Sequence, residues 1–170
     1  MRFHVGYREE IVLDSGTSVT LRLLHAGDRR LLAEEFDELS PQSRYQRFMA
    51  VLPKLPASYL DALVSLDGER NLAIGAIAGE RLIGSARISA LESGPAEVGI
   101  EVIDRCQGQG VGRTLLIRLL EAAAERGFCS LIALVLRGNR AALELFRSMD
   151  WRCSLVPDGC GAIEIELRRC

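Results

Sequence analysis

The spacing of apolar and polar residues along the chain predicts strands and helices in alternation. Residue-by-residue alternation, the period of an extended segment, runs over residues 18–24 and again over residues 96–102. Apolar residues at helical spacing follow the second segment, as far as a glycine stop at Gly127. The predicted strands cover residues 18–24, 71–78, 82–90, 96–102, 130–136, 151–156 and 162–167, and the predicted helices 28–39, 41–49, 58–66, 111–126 and 139–149.

The order of these elements predicts an α/β domain with a mixed sheet. A chain of 170 residues with 48% hydrophobic residues suffices for one well-buried domain and is short for two. We therefore expect a single domain over residues 1–170, with a core at about 18–167. The strand at 130–136 is apolar throughout, which predicts burial on both of its faces. The strand at 162–167 is expected to form an edge available for dimer pairing.

Composition and charge exclude several classes of protein. A formal net charge of -2 provides no excess of positive charge that could bind nucleic acid. No apolar run approaches the roughly 20 residues of a membrane helix, and the N-terminus lacks the apolar core of a signal peptide, so we expect a cytoplasmic protein without membrane contact. Five cysteines without a C-x-x-C pair, and two histidines, argue against disulfides or a metal site. Cys106 lies beside a glycine-rich turn and could serve as a nucleophile, but no base is adjacent to it in the sequence, so we expect a small buried filler.

A glycine-rich turn links the central strand at 96–102 to the helix after it. Gly108, Gly110 and Gly112 occupy every second position, and Arg113 adds a positive charge. The first N–H groups of a helix lack partners and lie at the positive end of its dipole, so bare glycine backbone there can accept an anion. The turn therefore predicts a phosphate cradle. The alternative, that the glycines only permit tight packing, stays open.

The sequence of this turn argues against two other phosphate-binding motifs. A P-loop ends in Gly-Lys-Ser/Thr, whereas Gly112 is followed by Arg113-Thr114, and the one lysine of the chain is Lys54. A dinucleotide fingerprint has the spacing G-x-G-x-x-G and an acid at the end of the next strand. Here the third glycine follows after one residue, and the next strand ends in Arg137-Gly138.

The remaining pattern, Gln107-x-x-Gly110-x-Gly112 after a strand that carries Glu97, resembles the acetyl-CoA-binding signature of the Gcn5-related N-acetyltransferase (GNAT) superfamily. The sequence SPQSRYQRF at 40–48 resembles a segment of bacterial acetyltransferases close to protein-lysine acetyltransferase catalytic domains. Asn139-Arg140-Ala141-Ala142 resembles the second CoA-contacting segment of the superfamily. The resemblance, which extends over about 18–167, implies a single GNAT-like domain with a mixed, mostly antiparallel sheet flanked by helices. It also implies acetyl-CoA as co-substrate, without a metal.

Two carboxylates are candidates for the base that acetyl transfer requires. Glu97 and Glu101 lie four residues apart, so an unbroken strand places both on one face. A carboxylate among apolar neighbours has a raised pKa and accepts a proton well near neutral pH. The resemblance places the superfamily's strand glutamate at Glu97. Two alternatives stay open, that both acids merely face solvent and that Glu97 acts through a water molecule.

The resemblance implies roles for the rest of the site. Backbone groups from Ile100 to Val102 would hold the pantetheine arm and supply an oxyanion donor. Many relatives carry a tyrosine as general acid where this chain has Phe146, and its three tyrosines lie far upstream, so we expect the thiolate to leave without such an acid. The expected cofactor contacts are Ile100, Val102, Gln107, Gly108, Gln109, Gly110, Val111, Gly112, Arg113, Asn139 and Phe146.

Together these features predict an acetyl-CoA-dependent N-acetyltransferase that acts on a protein lysine or a small amine. The alternative is a non-catalytic acyl-CoA-binding sensor or partner module, which the missing tyrosine keeps open. The sequence leaves the acceptor amine unnamed. It is compatible with a monomer or a homodimer.

Overall fold

The strands form a single sheet in the computed structural model, which describes residues 1–169. They are Arg8–Val12 (β1), Ser18–Leu23 (β2), Leu72–Ala78 (β3), Arg81–Ser89 (β4), Ala96–Val102 (β5), Ser130–Leu136 (β6), Arg152–Pro157 (β7) and Ala162–Arg168 (β8). The helices are Arg29–Glu38 (α1), Pro41–Phe48 (α2), Ala57–Val64 (α3), Val111–Glu125 (α4) and Arg140–Arg147 (α5). Each element predicted from the sequence is present, with bounds shifted by two residues or fewer.

Side-chain caps fix where α2 and α5 begin. The Ser40 hydroxyl accepts a hydrogen bond from the Ser43 N–H (3.1 Å), and Pro41 occupies the first helical position, where no N–H is needed. The Asn139 side chain accepts from the Ala142 N–H (3.2 Å) at the start of α5. These caps hold the N-termini of both helices beside the site described below.

The sheet order is β1-β2-β3-β4-β5-β6-β8-β7, and β5 with β6 is its parallel pair. The other neighbouring strands are antiparallel, so the mixed, mostly antiparallel sheet is confirmed. The expectation that the strand at 162–167 forms an edge is wrong, because β8 pairs with β6 on one side and β7 on the other. The edges are β7 and β1, and β1 was not predicted because its residues are partly exposed on both faces.

Apolar side chains cover both faces of the sheet. The larger core lies beneath α4, where Leu115, Leu116 and Leu119 are fully buried. A smaller core around Leu32 packs α1 and α3 against the opposite face. Cys106, expected to be buried, is half-buried against the larger core.

The expectation for β6 is only partly right. Leu131, Ala133 and Val135 are buried in the larger core, but Leu134 on the other face is 40% exposed. An apolar sequence does not distinguish a strand buried on both faces from one whose second face is the wall of a pocket. Here the second face borders the gap between β5 and β6.

This gap opens because β5 and β6 pair over only two positions. Ala96 lies opposite Leu131 and Glu97 opposite Ile132, and no further pair follows along β5 within residues 1–169. On its other side β5 pairs with β4 as far as Val102. The backbone of β5 beyond Glu97 is therefore exposed towards the gap, at the point where the strand approaches the glycine turn.

A cluster of charged side chains fastens the N-terminal segment to α4. The Glu9 carboxylate accepts hydrogen bonds from Arg118 (2.8 and 2.7 Å), the Tyr7 hydroxyl (2.7 Å) and Arg2 (2.7 Å). The bonds from Arg118, then that from Tyr7, outweigh burial and lower the pKa of Glu9 from its ordinary value of 4.5 to about 2. Burial, then the bond to Glu9, raises the pKa of Tyr7.

We expect Glu9→Gln to destabilise the protein in a pH-dependent manner. Because the folded-state pKa is depressed, the ionised carboxylate stabilises the fold above about pH 4.5, and this stabilisation is lost as the pH falls towards about 2. The loss at pH 7 should be about 1–3 kcal/mol, the usual contribution of hydrogen bonds to a charged group. Urea unfolding from pH 7 to pH 3 measures it, and a gap between the two proteins that widens on acidification would contradict the assignment.

Candidate active site

The turn from Gln107 to Arg113 forms an open cradle at the N-terminus of α4. Gly108 and Gly110 have φ values of +72° and +85°, which only glycine adopts readily. A Cβ atom at either position would meet nothing within 4 Å, so the space above this backbone is open to a ligand. The N–H groups of Val111, Gly112 and Arg113 lie in the first turn of α4 and have no intrahelical acceptor. These features fit a phosphate group.

The loop before the cradle is bonded to the start of α2. Asp104 accepts hydrogen bonds from the Ser40 N–H (2.8 Å), the Ser40 hydroxyl (2.7 Å) and the Ser43 hydroxyl (2.9 Å). Gln107 donates from Nε2 to the Val102 carbonyl (2.9 Å), which ties the turn back to β5. The motif glutamine thus holds the cradle against the strand, while Asp104 positions α2 above it.

Two connected depressions lie along the gap between β5 and β6. The larger, here called the glycine cleft, has a volume of about 400 Å³. The smaller, here called the Glu97 pocket, measures about 260 Å³ and contains Glu97, Tyr59 and Phe146. Both are lined by Gln46, Arg47, Ile100, Asn139 and Ala142. A ligand in the cleft and a second molecule in the pocket would meet at these shared residues.

The structure brings most of the predicted contacts together in the glycine cleft. Three predicted contacts do not line it: Gln109 donates to the Arg105 carbonyl (2.9 Å), Val111 is buried in the core, and Phe146 lines the Glu97 pocket instead. Arg113 lines the cleft and donates to the Ser148 hydroxyl (2.7 Å). The lining includes Ile100, Val102, Gln107, Gly108, Gly110, Gly112, Arg113 and Asn139.

Glu97 and Glu101 lie on the same face of β5, as the spacing predicted, but their surroundings differ. Glu97 is half-buried and borders the Glu97 pocket. Glu101 is 8% exposed, so the alternative that both acids face solvent is wrong for it. Its carboxylate accepts from Arg47 Nε through Oε2 and from the Ser85 hydroxyl through Oε1 (2.8 Å).

The pKa of Glu101 is not raised, contrary to expectation. Burial opposes its ionisation, but the charges of Arg47 and Arg87 and the bonds from Arg47 and Ser85 outweigh it, so the pKa lies below its ordinary value. Burial, then the negative charge of Glu101, raises the pKa of Glu35 well above its ordinary value. Glu101 is therefore the carboxylate that forms the ion pair with Arg47.

Comparison with known proteins agrees with the resemblance noted in the sequence. Residues 30–151 match the profile of the acetyltransferase (GNAT) family. The chain belongs to the GNAT acetyltransferase family. Acetyltransferase PA5475 of Pseudomonas aeruginosa is 30% identical over 151 residues, which cover 86% of this chain and 81% of that protein.

Solved GNAT structures share the fold over almost the whole chain. The GNAT domain of S. lividans PAT is 25% identical and superposes with a TM-score of 0.86, covering 95% of this chain and 97% of that domain. The yncA protein of Salmonella typhimurium, described as a putative acetyltransferase with its cofactor acetyl-CoA, is 17% identical with a TM-score of 0.66, covering 89% and 92% of the two chains. The single GNAT-like fold is thus confirmed.

Aromatic residues from distant parts of the sequence border the Glu97 pocket of this GNAT domain, and besides Phe48 they are Tyr59 and Phe146. Phe146 of α5 is 1% exposed and packs in the larger core, as expected of a packing wall. Tyr59 of α3 also lines the pocket, with 45% of its surface exposed. Distance along the sequence was therefore a poor guide, because a tyrosine far upstream does reach the site.

We expect Phe146→Ala to lower the free energy of unfolding by roughly 3–5 kcal/mol, the usual cost of truncating a buried phenylalanine. Phe146→Tyr should fold and should raise turnover, because its hydroxyl would supply a proton donor beside the pocket. Denaturant unfolding and steady-state rates measure the two effects. A folded Phe146→Tyr protein with little activity would show that this position does not face the leaving thiol.

Several residues at the site were not singled out from the sequence. Arg47, Ser43 and Gln46 lie within the 40–48 segment, whose resemblance to acetyltransferases was noted without assigning them a place. Their helical spacing on α2 was an available signal. Within residues 1–169 no group of three or more His, Cys, Asp or Glu side chains could hold a metal ion. In the same residues no helix has the length and apolar character to cross a membrane.

Proposed function

We propose that this GNAT enzyme transfers the acetyl group of acetyl-CoA directly to a primary amine, with Glu97 as the general base. The observation that carries the proposal is the position of Glu97 in a pocket that meets the glycine cleft at Ile100 and Asn139. A carboxylate in this pocket is accessible to an amine whose attack is directed at a thioester lying in the adjoining cleft. Glu101 lines the glycine cleft instead, and its carboxylate already accepts hydrogen bonds from Arg47 and Ser85.

Acetyl-CoA binding is supported by the chemistry of the cleft. The cradle offers bare N–H groups to a pyrophosphate, at the positive end of the α4 dipole. The β5 backbone beyond Glu97 lacks a β6 partner, so it can hydrogen-bond to the amides of a pantetheine arm. The yncA structure was solved with acetyl-CoA, and the cradle here suits the same ligand.

The proposed reaction proceeds in one displacement. The nitrogen lone pair of the acceptor attacks the thioester carbonyl carbon while Glu97 takes a proton from nitrogen. The carbon–sulfur bond then breaks, and the electron pair leaves with sulfur as the CoA thiolate. A backbone N–H in the unpaired part of β5 would stabilise the oxyanion. A thiolate is a good leaving group, so Phe146 in place of a proton donor does not prevent the reaction.

We further propose that the acceptor is a lysine side chain of a protein rather than a bulky small molecule. The Glu97 pocket has a volume of about 260 Å³, and its walls include Leu134, Met49 and Phe48, which suit an aliphatic chain ending in an amine. Resemblance of the 40–48 segment to protein-lysine acetyltransferases points in the same direction. Release of free CoA thiol, measured with lysine peptides and small amines in parallel, tests the proposal. Faster release with a small amine than with any peptide would contradict the choice of acceptor.

A further inference from the structure

A buried charged network lies under the Glu97 pocket, and the reaction as described makes no use of it. Arg47 of α2 is held by Glu101, and Glu101 is held in turn by Ser85 of β4. The Ser85 hydroxyl also lies 3.1 Å from Glu35 Oε2 of α1. The Ser85 hydroxyl thus lies between two carboxylates, and Glu101 is the one that is ion-paired with Arg47.

The guanidinium of Arg47 lies over Gly99, the residue of β5 that stands between the two glutamates in sequence. A Cβ atom at Gly99 would fall 2.6 Å from Arg47 Cζ and 3.1 Å from Nη1, so the guanidinium rests directly on that glycine. Gly99 is two residues from Glu97 and two from Glu101, and all three share one face of the strand. Within residues 1–169 Arg47 is ion-paired with Glu101 and not with Glu97.

We propose that Glu101 is a positioning residue, which holds Arg47 away from Glu97 and so leaves Glu97 free to accept the proton of the amine. The inference rests on the proposed role of Glu97. Without the charge of Glu101, the carboxylate left for Arg47 in the pocket that it lines is Glu97, on the same strand face. An arginine hydrogen-bonded to Glu97 would stabilise its ionised form and occupy the oxygens that the amine needs.

The groups around Glu97 support this division of roles. Those that share its face of the sheet or its pocket are Arg47 of α2, Arg87 of β4, Glu35 of α1, Tyr59 of α3 and Glu101 of β5 itself. Arg87 donates to the Leu63 carbonyl (3.0 Å). On the neighbouring strand its pairing partner is Gly99, which lies between the two glutamates of β5. Of the two arginines, only Arg47 lines the pocket, and it is therefore the cation that can move to Glu97.

The test compares the pH dependence of kcat/KM, with one acceptor amine, for the wild type and three variants. In Glu101→Gln the ascending limb should move to lower pH by about one to three units, the usual effect of an adjacent arginine on a carboxylate. Turnover at neutral pH should fall by about tenfold or more, because a weaker base is less effective. Adding Arg47→Gln to Glu101→Gln should return the limb towards its wild-type position. Glu35→Gln makes the same chemical change at a residue that does not line the Glu97 pocket, and it should leave the limb unchanged.

A second readout separates this inference from the proposed function. Carbon-13 NMR of the Glu97 carboxyl group follows its ionisation directly, whether or not Glu97 acts as base. An unshifted Glu97 titration in folded Glu101→Gln would overturn the inference, even if Glu97→Gln abolishes turnover. If Glu97→Gln keeps wild-type turnover, the proposed function fails instead. Should Glu101→Gln not fold, Arg47→Gln alone must move the Glu97 titration to higher pH, and no movement would equally overturn the inference.

Discussion

Glu97→Gln is expected to lower turnover by roughly 10²–10⁴-fold, the usual contribution of a positioned general base. Glutamine keeps the size and polarity of the side chain but cannot accept the proton of the attacking amine. CoA affinity should stay nearly unchanged, because Glu97 borders the Glu97 pocket and not the glycine cleft. The ascending limb of the pH–rate profile should also flatten. Steady-state rates between about pH 6 and 9, with isothermal titration of CoA, measure both effects.

Glu101→Gln is the matched control for this variant, since it makes the same chemical change on the same strand face. Its effect should be smaller, because Glu97 is still present to accept the proton. Wild-type rates and an unchanged pH profile in both variants would mean that no protein carboxylate acts as base. The acceptor would then have to lose its proton to solvent.

Gly110→Asp is expected to abolish the thermal stabilisation that CoA confers on the wild type. A ligand at 100 times its dissociation constant stabilises a folded protein by about 2.7 kcal/mol. The aspartate carboxylate would enter the open space above the cradle and repel the pyrophosphate. The fold should survive, because nothing lies within 4 Å of the new Cβ and aspartate tolerates a positive φ better than most residues do.

Gly110→Asn separates charge from shape in this experiment. Asparagine has nearly the same volume as aspartate and the same tolerance for positive φ, but it carries no charge. We expect it to retain part of the CoA shift in differential scanning fluorimetry. If a folded Gly110→Asp protein is stabilised by CoA against heat as much as the wild type is, the pyrophosphate binds elsewhere.

The elements of this fold could be predicted because their local patterns agree with their tertiary environment. The residues of β5 alternate because one face of the strand packs on the larger core and the other lies under α2. Glycines occupy positions 108 and 110 because the backbone there has positive φ values. β8 was misplaced because its apolar residues are equally compatible with an edge and with an interior position. Strand order depends on long-range pairing, which local periodicity does not report.

The electrostatics of the site could not be predicted from the sequence for a related reason. Arg47 and Glu101 are 54 residues apart, and Ser85 and Glu35 are 50 apart, so their contacts depend on how α1 and α2 cross the sheet. The expectation of a raised pKa considered only the apolar neighbours of Glu101 along β5. An arginine from another helix reversed the direction of the shift. The catalytic and binding roles assigned to individual residues stay predictions.

The most direct test of the account is whether acetyl transfer to an amine occurs in one displacement. The measurement combines thiol release from acetyl-CoA, the amount of N-acetylated acceptor and the intact mass of the protein, with and without lysine peptides. Direct transfer predicts that thiol is released only when an amine is present. The amount of thiol should equal the amount of N-acetylated product, and no acetyl group should remain on the protein. Thiol release without an amine, together with an acetylated Cys106, would contradict direct transfer. CoA binding without acetylation of any peptide or small amine would instead indicate a binding module.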